Sequence, residues 1–219
     1  MQLSEIQLRQ AIVASCQNMN SLGINQGTSG NISVRCGDKV LITPSATPYE
    51  DMTPEMIAEM PLDGEYGAWS GPLRPSTEWR FHYDILKARP DMTAVVHAHP
   101  TYCTTLAIAR KPIPPVHYMI ASFGGMDVRC SGYATFGTAR LSELALDALQ
   151  DRTACLMANH GMITLGENLE KAMWRAVELE AIARQYCLSM TIGGPVLLSE
   201  DDINEALAKF SDYGLKSTD

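Results

Sequence analysis

The sequence predicts an α/β fold built on a mixed, substantially antiparallel sheet, and three observations lead there. Apolar runs of strand length alternate with helical periodicities along the chain. Ile32-Ser33-Val34-Arg35 and Lys39-Val40-Leu41-Ile42 flank Cys36-Gly37-Asp38, the pattern of a β-hairpin with a short glycine-containing turn. No strand leads into the GxGxxG or P-loop patterns of parallel nucleotide-binding sheets. With 219 residues, 46% of them hydrophobic, the chain is long enough for one well-packed core, so residues 1–219 are expected to form a single domain.

The first element is a helix. Ser4-Glu5-Ile6-Gln7 fits a capping box, and Ile6, Ile12, Val13, Cys16 and Met19 mark an apolar stripe up to Leu22, where Gly23 can end it. The hairpin follows, and Thr53-Pro54, an N-cap followed by proline at N1, opens a short helix. Beyond a glycine-rich stretch from Gly64 to Gly71, residues 79–89 read as a helix that starts at Ser76-Thr77 and stops at Pro90. The strand-like run Ala94-Val95-Val96-His97-Ala98-His99 comes next, then a helical stretch from Pro100 to Ala109. Pro112, Pro114 and Pro115 impose an extended loop before Met119-Ile120-Ala121. Thr138 to Leu149 and Asn168 to Met190 are longer helices with polar starts; between them lie a strand ending at His160 and the run Met162-Ile163-Thr164-Leu165. Ser199-Glu200-Asp201-Asp202 opens a last helix, and the end of the chain around Phe210 and Tyr213 is aromatic.

Composition narrows the function classes. A net charge of −8 and a pI near 5.1 argue against a nucleic-acid partner, which requires a basic stripe, but leave room for a small phosphorylated ligand in a local pocket of donors. The N-terminus lacks the basic and apolar regions of a secretory signal and no apolar run approaches a membrane span, so a cytoplasmic location without membrane contact is expected. Cys16, Cys36, Cys103, Cys130, Cys155 and Cys187 are scattered without a CxxC pair and read as reduced, mostly buried thiols.

The chemistry centres on His97 and His99. In a strand, residues i and i+2 share a face, so the two imidazoles would point to one place, as half of a metal site. A catalytic zinc is usually held by three protein groups with a fourth position left for water or substrate. His160, at the end of Ala154-Cys155-Leu156-Met157 where Gly161 permits a sharp turn, is the best candidate for the third ligand; His82, in a helical pattern, and His117, after the proline-rich loop, rank below it. Gly27-Thr28-Ser29-Gly30-Asn31 is either an ordinary turn or a cradle of donors around an anion. Ser76-Thr77 offers a second donor set at a helix N-terminus, or a plain N-cap. Glu78, in the first turn of that helix, could remove a proton next to a carbonyl. Tyr118 is either a surface packing residue or a phenolic proton donor.

These residues sit in stretches that resemble the class II aldolase/adducin family, and especially its L-fuculose-1-phosphate aldolase (ketose 1-phosphate aldolase) branch. The matching stretches are residues 22–31, 41–44, 76–82, 94–99, 113–121 and 133–138 with Asn159-His160-Gly161, in order over nearly the whole chain. The resemblance implies a three-layer α/β/α fold around a central, mainly antiparallel sheet, assembled as a homotetramer with active sites at subunit boundaries. It implies His97, His99 and His160 as ligands of Zn²⁺, with Mn²⁺ or Co²⁺ as other candidates, and Glu78 as an acid/base that also occupies the metal when substrate is absent. It implies Thr28, Asn31, Ser45, Ser76 and Thr77 as the grip on substrate phosphate. Tyr118 matches a tyrosine donated by a neighbouring subunit, and Phe136, Phe210 and Tyr213 match positions lining the aldehyde end of the pocket. Ala46 stands where the fuculose branch has glycine.

The activity so implied is reversible cleavage of a ketose 1-phosphate to dihydroxyacetone phosphate and an aldehyde. The ketose is fuculose 1-phosphate, or 5-deoxyribulose or 5-methylthioribulose 1-phosphate, the last belonging to methionine salvage. The same scaffold hosts pentulose-phosphate epimerases, a methylthioribulose-phosphate dehydratase, sugar-acid phosphate decarboxylases and the non-enzymatic adducin head. Three histidines with a glutamate speak against the adducin-like reading. Glu78, where the epimerases carry aspartate, favours the aldolase, as do Tyr118 and the aromatic C-terminus.

Overall fold

A computed structural model describes residues 3–210; Tyr213 lies outside the described residues. Among them, seven strands form one sheet: β1 (Asn31–Cys36), β2 (Lys39–Ile42), β3 (Ala58–Pro61), β4 (Ala94–Ala98), β5 (Arg129–Ser131), β6 (Ala154–Met157) and β7 (Gly161–Gly166). The order is β3-β2-β1-β4-β7-β6-β5, antiparallel throughout except where β5 runs parallel to β6. Six α-helices accompany it among the described residues: α1 (Glu5–Ser21), α2 (Trp79–Ala88), α3 (Thr101–Ile108), α4 (Ala139–Ala148), α5 (Leu169–Met190) and α6 (Glu200–Phe210).

The period of two along each strand sorts the helices into two layers. Ile32, Val34, Ala94, Val96, Ala98, Leu156 and Met162 pack with residues of α1, α3 and α5 on one face. Val40, Ile42, Val95, Cys155, Ile163 and Leu165 pack with Phe81, Tyr83, Leu141 and Ala145 of α2 and α4 on the other. The result is the expected α/β/α sandwich. The same alternation places Asn31, Ser33 and His97 on the α2 side, and the antiparallel register sets Asn31 directly opposite His97.

Most local expectations hold. The capping box is formed, with the Ser4 hydroxyl accepting from the Gln7 N–H and the Gln7 side chain accepting from the Ser4 N–H. Gly37 takes φ +60° in the β1–β2 turn. Thr138 and Asn168 cap α4 and α5 through their side chains, as polar starts should.

Other expectations need correction. Ile6 is half exposed, so the buried stripe of α1 begins only at Ile12. The helix after Thr53 is a single 3₁₀ turn, Pro54–Met56, and Met119-Ile120-Ala121 falls in another, Tyr118–Phe123. Two strands were not anticipated. β3 is four residues long with a charged Glu59 and a terminal proline, and β5 is only three residues, both too short to show a period. All six cysteines are free, and no helix among the described residues is long and apolar enough to cross a membrane.

Candidate active site

Three imidazoles converge at one end of the sheet. His97 is the fourth residue of β4, His99 follows that strand, and His160 sits in the β6–β7 turn, next to β4 because β7 pairs with it. Their ligating nitrogens all lie within 4.8 Å of one another, and Nε2 of His97 and His99 are 2.9 Å apart. The expected convergence is present, but the role of Gly161 differs from the expected one. The left-handed residue of the turn is Asn159, at φ 54°. Gly161 is required for proximity: a Cβ there would stand 2.5 Å from His99 Cδ2 and 2.6 Å from the Ala98 carbonyl oxygen.

Glu78 completes the cluster. It is the N-cap of α2, not a first-turn residue, and its side chain makes no cap hydrogen bond, which leaves the carboxylate free to point across the sheet. Oε2 is 3.2 Å from His97 Nε2 and Oε1 is 3.1 Å from His160 Nε2. Burial disfavours ionisation of this carboxyl, but charge and hydrogen bonding from His97 and His160 outweigh it and hold its pKa well below the usual carboxylate range. Burial, with the charges of His97 and His160, lowers the pKa of His99 to about 3.

This donor set fits a divalent metal. His97 Nδ1 lies 2.8 Å from the Met162 carbonyl oxygen, which can only accept, so Nδ1 carries a proton and Nε2 is the nitrogen left to face the cluster and to ligate a metal. Ligands about 2.0–2.1 Å from a tetrahedral ion stand about 3.3 Å from one another, close to the separations of Glu78 from His97 and His160. Glu78 Oε1 is buried with the His160 imidazole 3.1 Å away, within reach of a cation gathered by the histidines.

Beside the cluster lies a cavity of about 160 Å³ lined by Thr28, Ser29, Asn31, Ser45, Ser76, Thr77 and Glu78. The backbone brings its two halves together: the Ser76 N–H donates to the Thr43 carbonyl and the Ser45 N–H to that of Arg74. Ala46 takes φ 54°, a left-handed conformation that a glycine would adopt freely. The side chain of Asn31 is turned to Glu78 and His82: Nδ2 donates to Glu78 Oε2 at 2.9 Å, and Oδ1 is 2.5 Å from His82 Nε2.

A second cavity, of about 300 Å³, adjoins the first through Ser29, Thr77 and Glu78 and is walled by His99, His160, Tyr133 and Phe136. Phe136 therefore reaches the site within this chain. Tyr118 and Phe210 do not. Their rings lie parallel with centroids 6.2 Å apart, in a different cavity formed by α5, α6 and the Tyr118–Phe123 turn.

Sequence reasoning missed several residues around the cluster. Tyr133 and Asn159 line the larger cavity. Asn25 accepts the His99 backbone N–H while donating to the Gly27 carbonyl and the Tyr49 hydroxyl, which ties the 25–30 loop to the end of β4. Each lies in a stretch that carried the family resemblance, but only the fold shows what they touch. His82 stands outside the cluster, buried in α2, and His117 caps the Tyr118–Phe123 turn.

Comparison with known proteins agrees with this geometry. Residues 10–187 match the family described as the class II aldolase and adducin N-terminal domain. A 5-methylthioribulose-1-phosphate/5-deoxyribulose-1-phosphate aldolase of Rhodospirillum rubrum is 48% identical over 96% of this chain and 94% of its own length. The L-fuculose phosphate aldolase of Escherichia coli K12 is 46% identical over 95% of this chain and 96% of its own. A solved L-fuculose 1-phosphate aldolase superposes with a TM-score of 0.90 at 35% identity, covering 96% of this chain and 98% of that one. From residue 10 to residue 187, this chain belongs to the class II aldolase and adducin N-terminal domain family.

Proposed function

We propose that the protein is a zinc-dependent, cytoplasmic ketose 1-phosphate aldolase whose whole chain acts as one catalytic domain. The observation that carries this reading is the position of Glu78, which touches two of the three histidines and also borders both the hydroxyl-lined cavity and the cavity beside it. An acid/base so placed can serve the carbon between a phosphate-anchored ketone and a departing aldehyde.

His97, His99 and His160 would hold the Zn²⁺, which would supply Lewis-acid stabilisation of negative charge developing at the ketone. Thr28, Ser45, Ser76 and Thr77 hold the phosphate in the cavity that Asn31 also lines, and fix the ketose in register. In condensation the ionised Glu78 carboxylate removes the C3 proton of dihydroxyacetone phosphate and the freed electron pair forms the C3–C4 bond. Cleavage is the reverse, the bond's electron pair passing to C3 and taking the proton that the protonated form of Glu78 carries. Tyr118, supplied by a neighbouring subunit of a homotetramer, takes the proton from the C4 hydroxyl in cleavage and returns it in condensation. Its exposure and its distance from the cluster's cavity within one chain support a role in trans. Phe136, with Phe210 and Tyr213 from the partner, surrounds the aldehyde tail. Candidate substrates are 5-methylthioribulose, 5-deoxyribulose and fuculose 1-phosphates, the first placing the enzyme in methionine salvage.

The test is purified protein incubated with each of the three ketose phosphates. Dihydroxyacetone phosphate formed in equal amount to the aldehyde is the expected product. A carbon-conserving epimer or a dehydrated diketone in its place removes the aldolase reading.

A further inference from the structure

His82 is a ring that the aldolase reading leaves idle. It lies one turn into α2 from Glu78 and is fully buried. Both of its nitrogens are engaged, Nδ1 at 2.7 Å from Ser33 Oγ and Nε2 at 2.5 Å from Asn31 Oδ1. Asn31 Nδ2 in turn donates to Glu78 Oε2 at 2.9 Å. The three residues meet because Asn31 and Ser33 occupy alternate positions of β1 and so face α2 together.

The chemistry of these groups gives the chain a direction. An ionised carboxylate only accepts, so Asn31 must present its NH₂ to Glu78 and its oxygen to His82. That oxygen requires a proton on His82 Nε2, which makes Nδ1 the acceptor for the Ser33 hydroxyl. With the proton on Nδ1 instead, Nε2 would draw the Asn31 NH₂ toward itself and turn the amide oxygen against the Glu78 carboxylate. Burial, reinforced by charge at His97 and opposed by Glu78, lowers the pKa of His82 to about 3, so the ring is neutral and its tautomer is the variable that matters.

We propose that Ser33, His82 and Asn31 form a directional hydrogen-bond chain that fixes the Asn31 amide and thereby holds the Glu78 carboxylate in the orientation its proton transfer requires. His82 is a positioning residue in this chain and touches neither substrate nor metal. The proposal rests on the acid/base reading of Glu78.

The experiment compares the holoenzyme with His82→Leu, His82→Gln and Asn31→Ala variants and with the His82→Leu/Asn31→Ala double variant. His82→Leu lowers kcat by about 10- to 100-fold, with KM and bound metal per chain near their wild-type values. His82→Gln, whose amide can place an N–H where Nε2–H stood, recovers kcat to within about threefold. Because His82 works through Asn31, the double variant is no slower than Asn31→Ala alone. Independently of turnover, imidazole nitrogen NMR of the wild-type protein shows His82 as the Nε2–H tautomer. Wild-type kcat in His82→Leu, losses that multiply in the double variant, or an Nδ1–H ring would each overturn the proposal. Its failure is distinguishable from failure of the aldolase reading. If Glu78→Gln is inactive while His82→Leu is not, only the chain is lost; if Glu78→Gln is active, the acid/base assignment itself falls.

Discussion

The histidine cluster and the Tyr118–Phe210 patch are built on opposite principles. The first is assembled from three segments locked to one sheet, with His97 wholly buried and Glu78 nearly so. The second is a pair of rings at the surface, with Tyr118 55% exposed and held by a short turn and the last described helix. On the proposed reading, the cation and the proton carried by Glu78 sit where strand pairing sets the geometry, whereas Tyr118 and the groups that meet a variable tail sit where a neighbouring subunit would complete them. One chain would then carry a finished half-site and an unfinished one.

Breaking the buried half gives the largest effect. His97→Ala removes a ligand whose ring is oriented by the main chain, and metal analysis should find less than one ion per chain, with turnover reduced on the order of 10⁴-fold or more. Glu78→Gln keeps the metal but removes the proton carrier, and exchange of the C3 proton of dihydroxyacetone phosphate with solvent should slow by about 10³-fold. Unchanged exchange would take Glu78 out of this role.

The surface half gives smaller effects that can be restored. Tyr118→Phe should lower kcat by about 10²-fold with full metal content. Mixing dissociated Tyr118→Phe and Glu78→Gln subunits and reassembling them should return a fraction of wild-type turnover, because some mixed sites combine an intact glutamate with an intact tyrosine. No recovery would place Tyr118 in its own chain's site. The smallest effect belongs to Phe136, 63% exposed at the cavity mouth. Phe136→Ala should change the ratio of kcat/KM between methylthio-tailed and methyl-tailed ketose phosphates by about tenfold, read in paired progress curves.

How much of this was legible in the sequence follows the same division. The histidine cluster was legible because each of its signals is local, two histidines separated by one residue in a strand and a third beside a glycine, although the segments themselves lie far apart in the chain. The layered sandwich was legible through the resemblance, and the hairpin through its turn. Short strands were not, since β3 and β5 carry too few residues to display a period. The task of Gly161 was misread because close approach depends on β4, which lies more than sixty residues earlier in the sequence. Asn31 reads as part of a small-residue loop around an anion and does line that cavity, but strand register also sets it opposite His97, where its side-chain amide meets Glu78, a contact the sequence does not show. Tertiary neighbours of this kind leave no mark on local spacing.

The carbonyl that orients His97 belongs to Met162, across the β4–β7 ladder. It is an oxygen that every amino acid possesses, so no single codon change at position 162 can delete it. Inheritance of the ring's orientation is consequently entrusted to strand pairing, and only a slip in alignment between the two strands, which would also dislocate the core beneath them, could withdraw it.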